Sequence, residues 1–315
     1  MRQAVEEAAA RIAPYVRETP LEWSAEFGAW LKLEHLQKTG SFKFRGASNK
    51  IALLSQEQAA VGVVAASNGN HGLGVAAAAR ARGIAAEVFV SAQVSPAKAQ
   101  RIEAMGAGIR VGGADPLSAE LAARRAAEES GRVFISPYND RDVAAGQGTI
   151  GLEMLRQNPG LQAVFVAVGG GGLIAGIAGY LKAVRPEIEV VGCWAENSPV
   201  LARCLDAGRV VEVDERPTLS ESTAGGLEPG SVTVELCRGV IDRQAFVSEA
   251  DILATMRAAL KTEHWVIEGA AAMALGAFLA SRERYRGRQA AVLLCGRNLS
   301  PAALAALLGT HDTVE

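Results

Sequence analysis

From residue 61 onward the sequence alternates between short runs rich in β-branched residues and alanine-rich stretches with helical spacing. Successive strand and helix segments include VGVVAAS (61–67), HGLGVAAAARARG (71–83), AEVFV (86–90), PAKAQRIEAMGA (96–107), RVFIS (132–136), AVFVAV (163–168), LIAGIAGYLKAV (173–184), EVVGCWA (189–195) and QAAVLLC (289–295). Strands joined by crossover helices form mostly parallel sheets that are covered on both faces. The alternation therefore predicts an α/β chain with two open, mostly parallel sheets and a boundary near residues 137–146.

Composition and charge restrict the class of partner. The chain has 32 basic and 34 acidic residues among 315, so no charge excess points to nucleic acid or to an anionic membrane, and we expect a small-molecule ligand. The N-terminal stretch 1–16 carries charges throughout and predicts an amphipathic helix rather than a signal peptide. Four scattered cysteines lack metal-ligand spacing, which predicts no metal site, no disulfide framework and a cytoplasmic location.

A run of four glycines, residues 169–172, follows one predicted strand and opens the next predicted helix. The surrounding uncharged window, 163–181, is long enough to suggest a membrane span, but four consecutive glycines would leave backbone groups unpaired in lipid. Backbone N–H groups at a helix N-terminus favour an anion, so the run predicts a phosphate site, with a simple tight turn as the alternative. Gly170, Gly172 and Ala175 also match a dinucleotide-binding pattern with Glu196 as its acidic partner, which would indicate a nicotinamide-dependent oxidoreductase.

Three further stretches carry groups suited to catalysis or binding. Lys43 lies between Phe42 and Phe44, where desolvation would lower its pKa for Schiff-base chemistry, although a surface lysine is the commoner case. The loop SNGNHG (67–72) predicts either an anion site or an Asn/Gly turn. Cys295 ends a predicted buried strand, where a cysteine is usually a small hydrophobe. We interpret the histidines His35, His264 and His311 as structural or solvent-facing.

These stretches together resemble the pyridoxal-phosphate (PLP) enzymes of the tryptophan-synthase β-subunit type, fold type II, and within them the serine/threonine dehydratase and serine racemase family. The motifs that carry the resemblance occur in the family's order: TPL (19–21), LKLEHLQKTGSFKFRGA (31–47), ASNGNHGLG (66–74), GQGTIGLE (146–153), VGGGGLIAG (168–176) and CGRN (295–298). The resemblance implies a large cofactor domain, residues 1–45 and 143–315, with a small domain, 46–142, inserted into it.

The same resemblance implies a role for each site residue. Lys43 would form the internal aldimine with PLP, with Phe42 packed near the ring, Asn70 bonded to its 3-oxygen and Cys295 at the pyridine nitrogen. The phosphate would be held by Gly169, Gly170, Gly171, Gly172 and Leu173. The substrate carboxylate would bind in the loop that contains Ser67, Asn68 and His71.

Departures from the family pattern argue against racemisation and against a metal-dependent activity. Racemases carry a serine where this chain has Asn68, and an amide is no acid or base near neutral pH. Metal-dependent members carry a carboxylate six residues past the position of Glu196, where this chain has Ala202. The family's Ala-Asp-Gly is AGG (224–226), its Glu-Pro is Glu268-Gly269, and its Ser-Gly-Gly-Asn is CGRN.

The implied function is PLP-dependent β-elimination, which converts a β-hydroxy amino acid such as threonine or serine to a 2-oxo acid and ammonia. We also expect a homodimer without the regulatory domain of the biosynthetic threonine deaminases. The stretch STAGGLEPGS (222–231) leaves open an unusual substrate of the hydroxyectoine-breakdown type. Serine racemase, a β-replacement synthase of the same fold, a non-catalytic sensor and the nicotinamide oxidoreductase remain as alternatives.

Overall fold

The structure, a computed structural model, describes residues 1–309 and places helices around two sheets. The strands are β1 (Leu21–Ser24), β2 (Ala29–Lys32), β3 (Val63–Ala66), β4 (Ala86–Ser91), β5 (Gly108–Gly113), β6 (Val133–Phe134), β7 (Ala163–Ala167), β8 (Glu189–Ala195), β9 (Arg243–Val247) and β10 (Ala290–Leu293). The α-helices are α1 (Arg2–Ile12), α2 (Lys43–Ala52), α3 (Gln56–Val61), α4 (Asn70–Ala81), α5 (Pro96–Ala104), α6 (Pro116–Ser130), α7 (Arg141–Gln157), α8 (Gly172–Val184), α9 (Val200–Ala207), α10 (Val232–Cys237), α11 (Glu249–Thr262), α12 (Gly269–Ala280) and α13 (Pro301–Leu308).

Both sheets are dominated by parallel strand pairs. The larger sheet has the order β1-β2-β10-β7-β8-β9, and only the β1–β2 pair is antiparallel. The smaller sheet has the order β5-β4-β3-β6 and is parallel throughout. The predicted fold class, α/β with two open and mostly parallel sheets, is confirmed.

Most predicted segments occur within a few residues of their expected bounds, and the differences have local causes. The uncharged window 163–181 folds as β7, a glycine turn and α8, and no helix within residues 1–309 has the length and apolar character to cross a membrane. The predicted strand 132–136 shrinks to the two residues of β6. Strands β1 and β2 are too short to give a recognisable pattern in the sequence. Both belong to the larger sheet, which therefore contains strands from the N-terminal and the C-terminal parts of the described chain.

A buried ion-pair network, composed of Arg45, Lys32, Glu34 and Glu153, ties the start of α2 to α7 and to the end of β2. Arg45 is fully buried and pairs with Glu34 at 2.7 Å and with Glu153 at 2.6 Å. The ammonium of Lys32 donates to the same Glu153 at 2.6 Å. Buried charges are tolerated when they are paired and hydrogen-bonded. The network therefore fixes α2, whose first residue is Lys43.

We expect Glu153→Gln to destabilise the protein by about 3–5 kcal/mol, because two buried cations would then share one carboxylate. Arg141→Met is the control on the same helix, since its pair with Glu235 is exposed and should contribute at most about 1 kcal/mol. Chemical denaturation of both variants measures the difference. Equal unfolding midpoints for the two would contradict a structural role for the network.

Candidate active site

The stretches singled out in the sequence lie at places where the strand order reverses. In the larger sheet β7 lies between β10 and β8, and in the smaller sheet β3 lies between β4 and β6. Open α/β sheets bind ligands beyond the carboxyl ends of strands at such reversals. The glycine run follows β7, the 67–72 loop follows β3, and Cys295 comes just after β10. The glycine run and Cys295 thus lie at neighbouring strand ends of the larger sheet, and the 67–72 loop lies at the end of β3 in the smaller sheet.

Lys43 reaches this region as the first residue of α2. Its partly buried side chain places Nζ 2.8 Å from the carbonyl oxygen of Pro137 and 5.2 Å from the centroid of the Phe42 ring. Burial lowers the pKa of Lys43 to about 8, while Cys295 and Glu268 oppose that shift. A substantial fraction of the amine is therefore uncharged slightly above neutral pH, as a nucleophile or base requires.

The glycine run forms a turn that cannot accept side chains. Gly171 has a φ of +91°, and a Cβ there would lie 2.6 Å from the side chain of Leu201. A Cβ on Gly170 would lie 2.4 Å from the ring of Tyr138. Both the backbone conformation and the close packing of Tyr138 therefore require glycine. This explains why the run is longer than a simple turn needs.

The helices that begin around this region lack side-chain caps. Side-chain oxygens accept from the first turns of α3, α5, α6, α7, α10, α11 and α13. No such bond occurs at α2, α4, α8 or α12, and α1 and α9 also lack one. Uncapped N–H groups at a helix start favour anions. The starts of α8 and α4 are thus free to bind a phosphate and a carboxylate.

Asn70, the first residue of α4, belongs to a polar cluster that sequence reasoning described only in part. Its amide nitrogen donates to both carboxylate oxygens of Glu268, at 3.0 and 2.9 Å. The amide nitrogen of Asn298 donates to the Asn70 oxygen at 2.6 Å. Ser222 also donates to Glu268, at 3.0 Å. The sequence singled out Glu268-Gly269 only because the family has Glu-Pro there, and the hydrogen bonds of this buried carboxylate to Asn70 and Ser222 place it in the cluster.

Cys295 is buried beside these groups. Its carbonyl oxygen accepts from the backbone N–H of Phe42 at 3.0 Å, which joins the end of β10 to the segment before Lys43. Burial raises the pKa of the Cys295 thiol well above its usual value, and Glu268 adds to the shift. The group at this place is therefore a neutral thiol rather than a thiolate.

The loop after β3 has its polar side chains engaged within the protein. Asn68 donates to the hydroxyl of Ser91 at 2.7 Å and accepts from the Ser91 backbone N–H at 2.9 Å. His71 Nε2 lies 2.8 Å from the carbonyl oxygen of Ile135, and burial lowers the pKa of His71 to about 3. His71 is therefore neutral and donates through Nε2, since a carbonyl oxygen only accepts. The hydroxyl oxygen of Ser67 accepts from the backbone N–H of Gly69 at 3.0 Å.

The other histidines lie apart from these contacts. His35 is buried with its ring centroid 5.2 Å from that of Trp265, and His264 is exposed. His311 lies outside the described residues. Within residues 1–309, no group of three or more His, Cys, Asp or Glu side chains is arranged to hold a metal ion.

The chain belongs to the family described as "Pyridoxal-phosphate dependent enzyme", which matches residues 12–296. It is similar to the L-threonine ammonia-lyase of Thermotoga maritima, with 39% identity over 94% of this chain and 75% of that protein. Among solved structures it is similar to a threonine deaminase from T.th., with 37% identity, a TM-score of 0.87 and coverage of 95% of this chain and 98% of that one. Maize serine racemase gives 31% identity and a TM-score of 0.91 over 98% and 96% of the two chains.

Family membership decides the cofactor. The protein is a PLP-dependent enzyme of fold type II, as the resemblance implied. The nicotinamide alternative raised by Gly170, Gly172 and Ala175 is therefore set aside, although β7, the glycine turn, α8 and β8 do follow one another as that pattern requires.

We expect Gly171→Ala to weaken PLP binding by about tenfold or more, a loss of roughly 1.4 kcal/mol, because the added Cβ displaces the turn. Gly131→Ala is the matched control, since Gly131 has a φ of +70° but no atom near the added Cβ. Titration of each apoprotein with PLP, followed by visible absorbance, gives the affinities. Equal affinities for the two variants would count against a cofactor role for the glycine turn.

Proposed function

We propose that this protein is a PLP-dependent ammonia-lyase that converts threonine, serine or a related β-hydroxy amino acid to a 2-oxo acid and ammonia. The observation that carries the proposal is the partly buried amine of Lys43, with its pKa near 8, at the meeting point of the motif loops. Relatives named threonine ammonia-lyase and threonine deaminase support the choice of reaction.

The residues around Lys43 fit the proposed cofactor in chemical type. Lys43 supplies the amine for the covalent bond, with Phe42 beside the ring, and the uncapped start of α8 with Gly169–Leu173 supplies N–H groups for the phosphate. Asn70 would supply an amide N–H for the 3-oxygen, and Cys295 would face the ring nitrogen. When bound, PLP supplies an electron sink for charge that develops at the substrate Cα.

Lys43 would then act as the general base. Once the substrate amine has taken its place, the Lys43 amine would be free to accept the Cα proton, and its lowered pKa leaves a far larger uncharged fraction near neutral pH than an ordinary lysine has. Because a protonation equilibrium with a pKa near 8 controls this base in the free protein, its uncharged fraction rises with pH through that value.

The neutral thiol of Cys295 would favour loss of the β-hydroxyl over reactions in which charge must stay on the cofactor ring for longer. A thiol with a raised pKa cannot supply the negative charge that would hold a proton on the ring nitrogen. With such a partner the cofactor would carry less charge on its ring, which would favour prompt departure of the β-hydroxyl. Gly169–Leu173 would hold the cofactor phosphate, which could supply an acid for that departure.

The substrate carboxylate would bind at the start of α4. This helix has no side-chain cap, and its first turn follows the loop of Ser67, Asn68 and His71. The two bonds between Asn68 and Ser91 give this loop a fixed shape. Backbone N–H groups at the start of α4 would then bind the carboxylate, and the neutral His71, whose N–H is donated to Ile135, would add no acid on that side.

We further propose that residues 46–142 form a small domain that moves relative to the rest, 1–45 and 143–315. The smaller sheet, β3 to β6, lies entirely within that span, which supports the division. We also propose a cytoplasmic homodimer that needs no metal ion. The four cysteines, all buried and free, support a reducing compartment.

Lys43→Ala should abolish ammonia release, with a rate loss of at least about 10²–10⁴, because both the covalent link and the base are removed. Lys38→Ala is the control, since Lys38 is exposed five positions earlier in the same segment. A coupled ammonia assay with threonine and serine measures the rates, and borohydride reduction followed by peptide mapping should place the cofactor on Lys43. An unchanged rate in Lys43→Ala would refute the assignment.

The similarity to maize serine racemase makes racemisation the second candidate, and Asn68 argues against it. An amide bonded at both ends to Ser91 has no proton to exchange with Cα. We expect L-serine to yield pyruvate and ammonia but no D-serine when the products are separated by chiral chromatography, with a serine racemase as positive control. Steady formation of D-serine would contradict this, and a requirement for an added thiol would favour a β-replacement synthase.

A further inference from the structure

A chain of hydrogen bonds, which we call the amide relay, runs from the exposed Arg101 through Asn298 and Asn70 to the buried Glu268. Arg101 Nη2 donates to Asn298 Oδ1 at 2.9 Å. Asn298 Nδ2 donates to Asn70 Oδ1 at 2.6 Å, and Asn70 Nδ2 donates to the Glu268 carboxylate at 2.9 and 3.0 Å. Arg101 lies on α5, beside the smaller sheet, whereas Asn298 and Glu268 flank β10 and α12 of the larger sheet.

The two ends of the amide relay dictate its direction. A guanidinium can only donate, so the oxygen of the Asn298 amide must face Arg101 and its nitrogen must face Asn70. An ionised carboxylate can only accept, so the nitrogen of the Asn70 amide faces Glu268 whenever that carboxyl is charged; burial raises the pKa of Glu268, and the hydrogen bonds that it accepts oppose this shift. The carbonyl oxygen of Thr39 accepts from Asn298 Nδ2 at 2.9 Å and supports the same orientation. Either end alone would orient the amides, and both ends agree.

Close packing leaves the amide relay little room to shift. A Cβ on Gly40 would lie 2.6 Å from Asn298 Oδ1, and Gly40 itself has a φ of +80°. A Cβ on Gly296 would lie 2.7 Å from the carboxylate of Glu268. The glycines in TGSFK and CGRN therefore provide the space that Asn298 and Glu268 occupy. The backbone N–H of Asn298 also donates to Glu268, at 3.3 Å.

We propose that Arg101 and Glu268 are positioning residues that fix the amide of Asn70, and that Arg101 makes this orientation depend on the place of α5. The inference rests on the proposed contact between Asn70 and the 3-oxygen of the cofactor. When α5 moves away from the larger sheet, the Arg101 bond to Asn298 is lost, and the amides are held only by the Thr39 carbonyl and by Glu268. The contact between Asn70 and the cofactor thereby depends on how close α5 and the smaller sheet lie to the larger sheet.

Arg101→Met tests the exposed end of the amide relay. We expect PLP affinity to fall about five- to tenfold, which corresponds to one lost charge-assisted hydrogen bond, with a shift in the visible band of the bound cofactor. Arg101→Lys should recover part of the affinity because it keeps a donor. Arg80→Met is the control, since Arg80 is exposed and donates to the carbonyl of Ala104 at the end of α5, outside the relay.

Glu268→Gln tests the buried end and the coupling between the ends. A glutamine amide can donate as well as accept, so the buried end no longer fixes the Asn70 amide and the Arg101 end becomes the main constraint on its orientation. The further loss caused by Arg101→Met should therefore grow in this background. Additive losses in the double variant, or an Arg101→Met affinity and absorption band equal to those of Arg80→Met, would overturn the proposal. These readouts use cofactor binding alone, so a protein that binds PLP but releases no ammonia would refute the proposed function and leave the amide relay to be judged separately.

Discussion

The buried pairing of Arg45 with Glu34 and Glu153 is the interaction on which the site depends. All of these groups lie out of water, so the pairing holds only while α2, α7 and the segment after β2 keep their positions. Lys43 is two residues from Arg45, on the first turn of α2. The reactive amine is therefore held by a rigid ionic contact that takes no part in the proposed chemistry.

Strand order explains why residues far apart in sequence meet around that amine. The ends of β2, β10 and β7 are neighbours in one sheet, and they lead to Lys43, Cys295 and the glycine turn respectively. The start of α4 comes from the other sheet and contributes Asn70. A cofactor bound between the two sheets would thus contact residues from both, and each sheet would bind a different group. In the proposed site, the larger sheet would supply the glycine turn for the phosphate, and the smaller sheet would supply the contacts to the substrate carboxylate.

Short sequence motifs predicted much of the candidate site, whereas contacts between residues far apart in the sequence could not be predicted. The glycine run, the 67–72 loop and the repeating strand and helix segments have patterns that a single window of sequence displays. The roles of Glu268, Asn298 and Arg101 depend on contacts between residues nearly 200 positions apart, such as Arg101 with Asn298, which no local pattern displays. Strands β1 and β2 are not predicted because a strand of four residues gives too little periodicity.

The missing caps at α8 and α4 have a consequence for the energetics of the whole protein. Where other helices satisfy their first N–H groups with their own serine or aspartate side chains, these two leave those groups available to the anions of the proposed site. Ligand occupancy therefore becomes part of the folding equilibrium, and the chain gains resistance to unfolding in proportion to the logarithm of the free cofactor concentration. Supply of the vitamin-derived cofactor in the cell would then govern how long each copy of the protein survives, as well as how fast it works.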